Sequence, residues 1–125
     1  MKEIICRKIN ERDKSMLKSY PNPTPVDYFI KSTCSEVTFI GMKGEHGKQP
    51  DFAEISITMI PAKTIMDLKS LKFYLGQFRD ILTSYEKLIN VIFYDIGVVY
   101  QPKYLKVTMK TNPRGGICSE LWREK

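Results

Sequence analysis

The sequence predicts an α+β fold, in which an antiparallel sheet carries two helices packed on one face. Three segments alternate between apolar and polar residues as half-buried strands do, at positions 28–40, 51–61 and 104–111. Two further segments, residues 68–82 and 85–100, lie between the second and third of these strands. Their apolar residues recur every three to four positions, which is the spacing of an amphipathic helix. Strands that precede and follow a pair of helices are typical of an antiparallel α+β sheet.

Length and composition fit one domain of ordinary size. The chain has 125 residues, of which 42% are hydrophobic, enough for a single core. We divide it into a polar N-terminal extension, residues 1–19, and a single domain, residues 20–125. No apolar run approaches the length of a membrane span, and the first residues lack the apolar core of a signal peptide. We therefore expect a cytoplasmic protein with no membrane partner.

Charge and cysteine content restrict the function classes further. The formal net charge is +6, and a basic surface attracts the phosphates of a cofactor or of a nucleic acid. The basic residues are scattered, so we interpret most of them as solvated surface and do not expect direct nucleic-acid binding. Cys6, Cys34 and Cys118 lack CxxC spacing, which fits reduced thiols rather than a disulfide framework. With a single histidine, no metal site is expected.

The elements can be assigned in chain order from these patterns. Alternate prolines in residues 20–25 exclude a helix and predict a stiff, extended lead-in. The first strand follows, with a predicted break near Ser32 and Thr33, and a glycine-rich loop at residues 41–48 leads to the second strand. Asp67 is the candidate N-cap of the first helix.

The end of the chain is assigned in the same way. Gln101-Pro102 ends the second helix, and residues 104–111 alternate as a strand. Asn112 to Gly116 is predicted to be a turn, in which the two glycines serve either a tight bend or close packing between subunits.

Four blocks of sequence follow one another between residues 49 and 117. They are Gln49-Pro50-Asp51-Phe52; residues 67–74, DLKSLKFY; Phe78-Arg79 with Glu86 and Asn90; and Pro113-Arg114-Gly115-Gly116-Ile117. In order and offsets they resemble the NADPH-dependent 7-cyano-7-deazaguanine reductases, the nitrile reductase family QueF. The second block differs from the family's signature only in its first residue, Asp in place of Glu. The resemblance covers residues 20–117 and implies the tunnelling fold, in which sheets from several subunits close a barrel. It therefore implies a homo-oligomer.

The resemblance assigns substrate roles to four residues. Asp51 corresponds to the family's proton donor, which must lie within hydrogen-bond reach of the nitrile nitrogen. Glu86 corresponds to the residue that reads the pyrimidine edge of the deazaguanine, because a carboxylate only accepts hydrogen bonds. Phe52 belongs to the substrate-binding set, and so does Tyr85, which stands where the family has His. The alternatives are that Asp51 is a turn residue before a strand and that Glu86 is a helix-favouring acid in a first turn. The intact QPDF block and the register of Glu86 with Arg79 and Asn90 favour the site roles.

The resemblance also implies NADPH as cofactor. Lys69, Ser70 and Lys72 correspond to positions linked to the dinucleotide, and Arg114 is a further candidate anion contact. Two lysines three residues apart near a helix N-terminus favour phosphate. Their spacing alone favours a solvated helix face, and only the match to the family's signature favours the cofactor role. No GxGxxG follows a strand, so a Rossmann domain is not implied.

The family's nucleophile, a Cys shortly before the QPDF block that adds to the nitrile, is missing here. Residues 37–48 contain no Cys, and Gly41 stands at the nucleophile's position. Cys34 is the candidate substitute, but it lies several residues earlier and buried thiols are usually packing residues. His46 is a candidate proton carrier. Lys43 is a candidate amine nucleophile, for which a charged loop offers little desolvation.

These observations lead to one main hypothesis and two alternatives. The main one is a reductase-like protein of queuosine-type deazaguanine synthesis, a tRNA modification pathway, in which NADPH reduces the nitrile to the aminomethyl product through a covalent thioimide. The first alternative is a diverged homologue that binds a deazapurine or pterin without reducing it, as carrier, regulator or partner subunit. The second is another tunnelling-fold reaction, amidine-forming or cyclohydrolase-like, whose known chemistries need a Cys or a zinc site. Whether the chain is an active enzyme stays open without the thiol.

Overall fold

The computed structural model describes residues 5–42 and 47–125, and within them the chain forms eight strands and two α-helices. Short 3-10 turns lie at Ile9–Glu11, Lys14–Met16 and Gln77–Asp80. The main elements are β1 (Arg7–Lys8), β2 (Ser19–Pro21), β3 (Ile30–Met42), β4 (Lys48–Ile60), β5 (Thr64–Met66), α1 (Leu68–Gly76), β6 (Ile81–Leu82), α2 (Tyr85–Tyr100), β7 (Tyr104–Thr111) and β8 (Glu120–Glu124). None of the helices in the described ranges is long and apolar enough to cross a membrane.

The main sheet has six strands in the order β1-β6-β3-β4-β7-β8. The pairs β3–β4, β4–β7 and β7–β8 are antiparallel, as predicted. Strand β6 runs parallel to both β1 and β3, so one edge of the sheet is mixed. Strands β2 and β5 form a separate antiparallel ribbon, which includes the first residues of the proline-rich lead-in. These short strands were not predicted, because two or three residues carry no periodicity.

The longest pairing joins β3 to β4 and positions the candidate site. The predicted break near Ser32 and Thr33 is wrong, since both residues are paired in regular register with β4. The register instead shifts by one residue between Cys34 and Val37, which is a β-bulge. Pairing then continues to Met42, so the predicted loop at 41–48 is shorter than expected and its residues 43–46 lie outside the described part of the chain.

The core lies between one face of the sheet and both helices, as predicted. Alternate residues of β3, β4 and β7 point to this face, and each helix contributes its apolar stripe. The buried side chains from the strands are Val37, Phe39, Ala53, Ile55, Ile57, Met59, Leu105, Val107 and Met109; those from α1 and α2 are Leu71, Tyr74, Leu75, Leu88, Ile89, Ile92, Phe93, Ile96 and Tyr100.

The two helices begin where the sequence predicts. Asp67 is the N-cap of α1, because its side chain accepts a hydrogen bond from Ser70 N at 3.2 Å. Helix α1 ends at Gly76 rather than at 82, since a 3-10 turn and β6 follow and keep Phe78 and Ile81 on the core side. Helix α2 has the predicted bounds, and Gln101 ends it in the left-handed conformation with φ 45°.

The described part of residues 1–19 packs against both helices. Arg12 donates two hydrogen bonds to the fully buried carboxylate of Asp95, at 2.7 and 2.9 Å, and the Tyr74 hydroxyl donates to the same carboxylate. Leu17 is buried in the core, and Lys18 O accepts from Tyr100 Oη at 2.5 Å. The N-terminal segment therefore covers one side of the helix pair, while its division from the domain at residue 19 stays a prediction.

Candidate functional site

A cavity of about 310 Å³ opens where the adjoining ends of β3 and β4 meet the N-terminus of α2. The wall includes strand residues, the segment that leads into α2, and one residue of the turn between β7 and β8. These residues are Phe39, Gly41, Met42, Asp51, Arg114 and residues 82–86. A larger groove of about 590 Å³ lies between α2 and β7, but it contains none of the predicted site residues. The cavity at Asp51 is the candidate site because it contains a buried carboxylate.

Asp51 lies on the core face of β4, directly opposite Phe39 of β3, and is 4% exposed. Its Oδ1 accepts hydrogen bonds from Tyr85 Oη at 2.6 Å and from Phe52 N at 2.9 Å. Its Oδ2 pairs with the guanidinium of Arg114. Both oxygens are therefore engaged by donors, an arrangement that suits an ionised carboxylate, which only accepts hydrogen bonds.

Arg114 reaches Asp51 because a tight turn presents it. Arg114 N donates to Ile117 O at 2.7 Å, and Ile117 N donates back to Arg114 O at 3.0 Å. The two residues between them, Gly115 and Gly116, have φ of 57° and 81°, which only glycine adopts without strain. The two glycines thus serve the tight bend that the sequence predicted.

Tyr85 is the first residue of α2 and forms the wall of the cavity beside Asp51. The side chain of the N-cap, Ser84, accepts a hydrogen bond from Lys87 N at 3.1 Å and so fixes the start of the helix. The Tyr85 ring packs edge-on against Phe39 with centroids 5.2 Å apart. Burial and the hydrogen bond to Asp51 raise the pKa of Tyr85 above its ordinary value. Tyr85 is therefore a neutral hydrogen-bond donor at pH 7.

The structure brings Glu86 to the rim of the same cavity but leaves Phe52 outside it. The side chain of Glu86 is exposed, and the backbone oxygen of Glu86 accepts a hydrogen bond from Asn90 Nδ2 at 2.8 Å. Phe52 follows Asp51 on β4, so its side chain points to the opposite face of the sheet, where it is 39% exposed. Within one chain Glu86 and Phe52 therefore lie on different sides of the sheet.

Gly41 is buried directly beside Asp51. A Cβ added at Gly41 would lie 3.3 Å from Asp51 Oδ2. Cys34 pairs with Ile55 on the same strand pair, and its thiol contacts Glu36 O at 3.5 Å. Gly41 lies seven positions beyond Cys34 on β3, which is roughly 23 Å at about 3.3 Å per residue. The structure therefore brings Gly41 to Asp51 and does not bring Cys34 there, while His46 and Lys43 lie outside the described residues.

The predicted cofactor residues lie elsewhere, on α1. Lys69 and Lys72 are exposed, and neither ammonium has a hydrogen bond or ion pair with another residue of the described ranges. Ser70 is buried, donates to Asp67 O at 2.8 Å and accepts from Lys18 N at 2.9 Å. The two lysines fit a phosphate group, whereas the Ser70 hydroxyl is already used to join α1 to the N-terminal segment.

Neither lysine reaches the Asp51 cavity. Lys72 instead lines an open hollow of about 530 Å³ together with Arg79 and Phe73. The predicted cofactor and substrate residues of one chain are therefore separate, except for Arg114. Sequence reasoning missed the pairing of Arg114 with Asp51, because the turn block predicts a bend but not what the bend faces. It also missed the hydrogen bond from Tyr85 to Asp51.

No cluster of three or more His, Cys, Asp or Glu side chains in the described ranges has the arrangement of a metal site. The side chains of the cavity include a buried carboxylate, a phenol and a guanidinium, with a second carboxylate at the rim. Such a set can bind a polar heterocycle and hold or move a proton.

Comparison with known proteins settles the family. A family model described as "QueF-like protein" matches residues 50–125. The chain belongs to this family. The resemblance inferred from the four sequence blocks is thereby confirmed.

Curated members of the QueF family share about 40% of their residues with this chain. The NADPH-dependent 7-cyano-7-deazaguanine reductase of Bacillus cytotoxicus is 41% identical over 108 residues, which are 86% of this chain and 64% of that protein. The enzyme of the same name from Aquifex aeolicus is 38% identical over 108 residues, 86% of this chain and 81% of that protein. The enzyme of the same name from Halorhodospira halophila is 39% identical over 109 residues, which are 86% of this chain and 90% of that protein. The chain thus spans slightly less than two thirds of the Bacillus relative's length.

A solved structure supports the fold. The crystal structure of the archaeosine synthase QueF-Like in the apo form matches with a TM-score of 0.66 at 21% sequence identity, covering 81% of this chain and 94% of that chain. The predicted α+β tunnelling fold of the subunit is confirmed by this likeness.

Proposed function

We propose that this chain is a 7-cyano-7-deazaguanine reductase-like protein. It binds the deazaguanine base in the Asp51 cavity, and NADPH is its cofactor. The relatives' names support the reaction and the cofactor, since they are NADPH-dependent reductases of this base and about 40% identical to the chain. The observation that carries the substrate site is Asp51, which lies buried beside Gly41 with Glu86 at the cavity rim.

Different side chains of the cavity bind the base and transfer the proton. Glu86 accepts hydrogen bonds from the N–H groups of the base, and its place on the first turn of α2 fixes its position relative to Asp51. Asp51 is the proton donor to the nitrile nitrogen. It can donate only after it takes up a proton and releases Arg114, because in the described state both of its oxygens accept hydrogen bonds.

NADPH would be held by Lys69 and Lys72, whose exposed ammonium groups suit its phosphates, and when bound it supplies the hydride. Lys69 and Lys72 do not line the Asp51 cavity of their own subunit. The proposal therefore includes a homo-oligomer, in which the open sheet edges pair between subunits and the two sets of residues can come from different chains. A cytoplasmic location, where NADPH and the base are available, is part of the same proposal.

Gly41 favours a second candidate function, the binding of a deazapurine without its reduction. A thiol at this position would touch Asp51, as nucleophile and proton donor must, and glycine supplies none. Covalent activation of the nitrile through residue 41 is therefore impossible in this chain, and slow or absent turnover is expected even if the base binds well.

Titration calorimetry tests the binding site. The parent protein should bind 7-cyano-7-deazaguanine more tightly than guanine, and Glu86→Ala should weaken that binding by about 1.5–3 kcal/mol, the usual effect of losing a charged hydrogen-bond partner. Glu120→Ala is the matched control, since Glu120 is an equally exposed acid on β8 outside the cavity. If Glu86→Ala and the parent bind equally, Glu86 is not in the site. If the parent binds neither 7-cyano-7-deazaguanine nor its aminomethyl product, the proposed function is wrong.

A further inference from the structure

The electrostatics of the Asp51 cavity suit a cationic ligand. Two of its lining residues are carboxylic acids, Asp51 inside and Glu86 at the rim. Arg114 is the one cationic side chain among the described residues that line it. Apart from Arg114, the charged residues of the lining are therefore acidic.

Asp51 and Arg114 differ in how easily each can leave the ion pair. The side chain of Asp51 is 6% exposed, whereas that of Arg114 is 45% exposed. A buried carboxylate needs a cation or several donors beside it, because its charge is poorly solvated. Arg114 stands at a surface turn and lies over the Tyr85 ring, 5.8 Å from its centroid, so turning into water costs it these contacts but little solvation. The carboxylate stays in place, and its cation is exchangeable.

The nitrile and aminomethyl forms of the base differ in the group that each presents to Asp51. A nitrile nitrogen only accepts hydrogen bonds, and an ionised carboxylate also only accepts them, so the two repel when they face each other. A primary ammonium carries three donors and one positive charge. It can bind Asp51 Oδ2 where the guanidinium now lies and neutralise the carboxylate. Gly41 leaves room for this exchange, because no side chain projects from position 41 toward Asp51.

We propose that the cavity selects the aminomethyl form of the 7-deazaguanine base over the nitrile form, with the ligand ammonium replacing Arg114 as the counter-ion of Asp51. The inference rests on the proposed function, because it assumes that the deazaguanine binds at this cavity. It goes beyond that function by naming the charge state of the preferred ligand.

Titration calorimetry of the full chain at pH 7 with 7-aminomethyl-7-deazaguanine and 7-cyano-7-deazaguanine decides the question. The aminomethyl base should bind about tenfold more tightly, which is the usual difference between a charge-assisted and a neutral hydrogen bond. Asp51→Asn, which keeps the shape and removes the charge, should abolish this preference. Equal affinities, or tighter binding of the nitrile, would overturn the inference and leave the proposed function intact.

Arg114→Ala gives an independent test, in which the substitution should strengthen binding of the aminomethyl base. If Arg114 competes with the ligand ammonium, its removal should tighten binding of the aminomethyl base about tenfold and should not tighten binding of the nitrile. If Arg114 instead contacts the ligand or only holds Asp51 in position, the aminomethyl base should bind the variant more weakly, and the inference is wrong. Arg123→Ala is the matched control, because it removes one exposed arginine that does not line the cavity.

The two tests also separate the inference from the function on which it rests. Binding of neither base by the parent would overturn both. Thermal melting of each variant checks folding. If Asp51→Asn does not fold, Arg114→Ala still tests the inference. This variant should fold, because the Arg114 side chain is half exposed.

Discussion

A cysteine introduced at position 41 should restore covalent capture of the nitrile. Gly41 has no positive φ, so its backbone accepts a side chain. The new Cβ would lie 3.3 Å from Asp51 Oδ2 and 3.6 Å from Asp51 Cβ, so Asp51 must move by a few tenths of an ångström. Overpacking of this kind usually costs about 1–3 kcal/mol of stability, and we expect Gly41→Cys to fold with a loss in that range.

The assay is intact-protein mass spectrometry after incubation with 7-cyano-7-deazaguanine. The thiol adds across the nitrile, with sulfur bonding to carbon and the thiol proton passing to nitrogen, so the protein gains the mass of one base. Gly41→Cys should show this adduct and the parent should not. Parent NADPH oxidation should be negligible, because a free nitrile is a poor electrophile. Thr38→Cys is the control, since Thr38 lies on the same strand but faces the opposite side of the sheet.

Three results would refute this reasoning. Robust NADPH oxidation by the parent would show that no thiol at position 41 is needed. An adduct of the parent that maps to Cys34 would show that the nucleophile has moved rather than been lost. A Gly41→Cys protein that binds the base by calorimetry and forms no adduct would show that position 41 is not the nucleophile's place.

Four further predictions concern stability and assembly. Arg12→Ala should lower the free energy of unfolding by about 3–5 kcal/mol in urea denaturation, because it leaves the buried Asp95 carboxylate without its cation. Arg7→Ala, which breaks a half-exposed pair with Asp80, should cost less than about 1 kcal/mol. Burial raises the pKa of Tyr100 to about 12 from 10.0, so the stability it contributes should be complete below about pH 10 and lost as the pH rises toward 12; Tyr100→Phe should flatten that part of the curve. Light scattering at micromolar concentration should show a homo-oligomer, and a monomer would contradict the barrel implied by the family.

Long, strongly patterned elements could be predicted from the sequence, and short ones could not. Helix α2 and strand β7 have the predicted bounds because each carries two or more turns or pleats of regular periodicity. The end of α1 was missed for a physical reason: Phe78 and Ile81 keep the helical spacing, yet the backbone changes to a 3-10 turn and a strand. The bulge after Cys34 was misplaced, because polar residues on both sides of it obscure the change of face.

The candidate site was predictable in composition but not in arrangement. The sequence blocks identify Asp51, Tyr85, Glu86 and Arg114, and the structure brings all four to one cavity. The sequence could not show that Arg114 pairs with Asp51, because the partners are 63 positions apart and the contact depends on how β7 and β8 meet. Their catalytic and binding roles stay predictions until the experiments above are done.

The ion pair between Arg12 and Asp95 also bears on the order of events during folding. Its partners are 83 positions apart, so forming it closes a loop that contains most of the chain. The entropy lost on closure grows with loop length, and contacts of this kind form late. The segment that carries Arg12 is synthesised well before Tyr74 and Asp95, the residues at its docking position. We therefore expect Arg12 to reach its native position only after α1 and α2 have come together, because both helices contribute to its binding site.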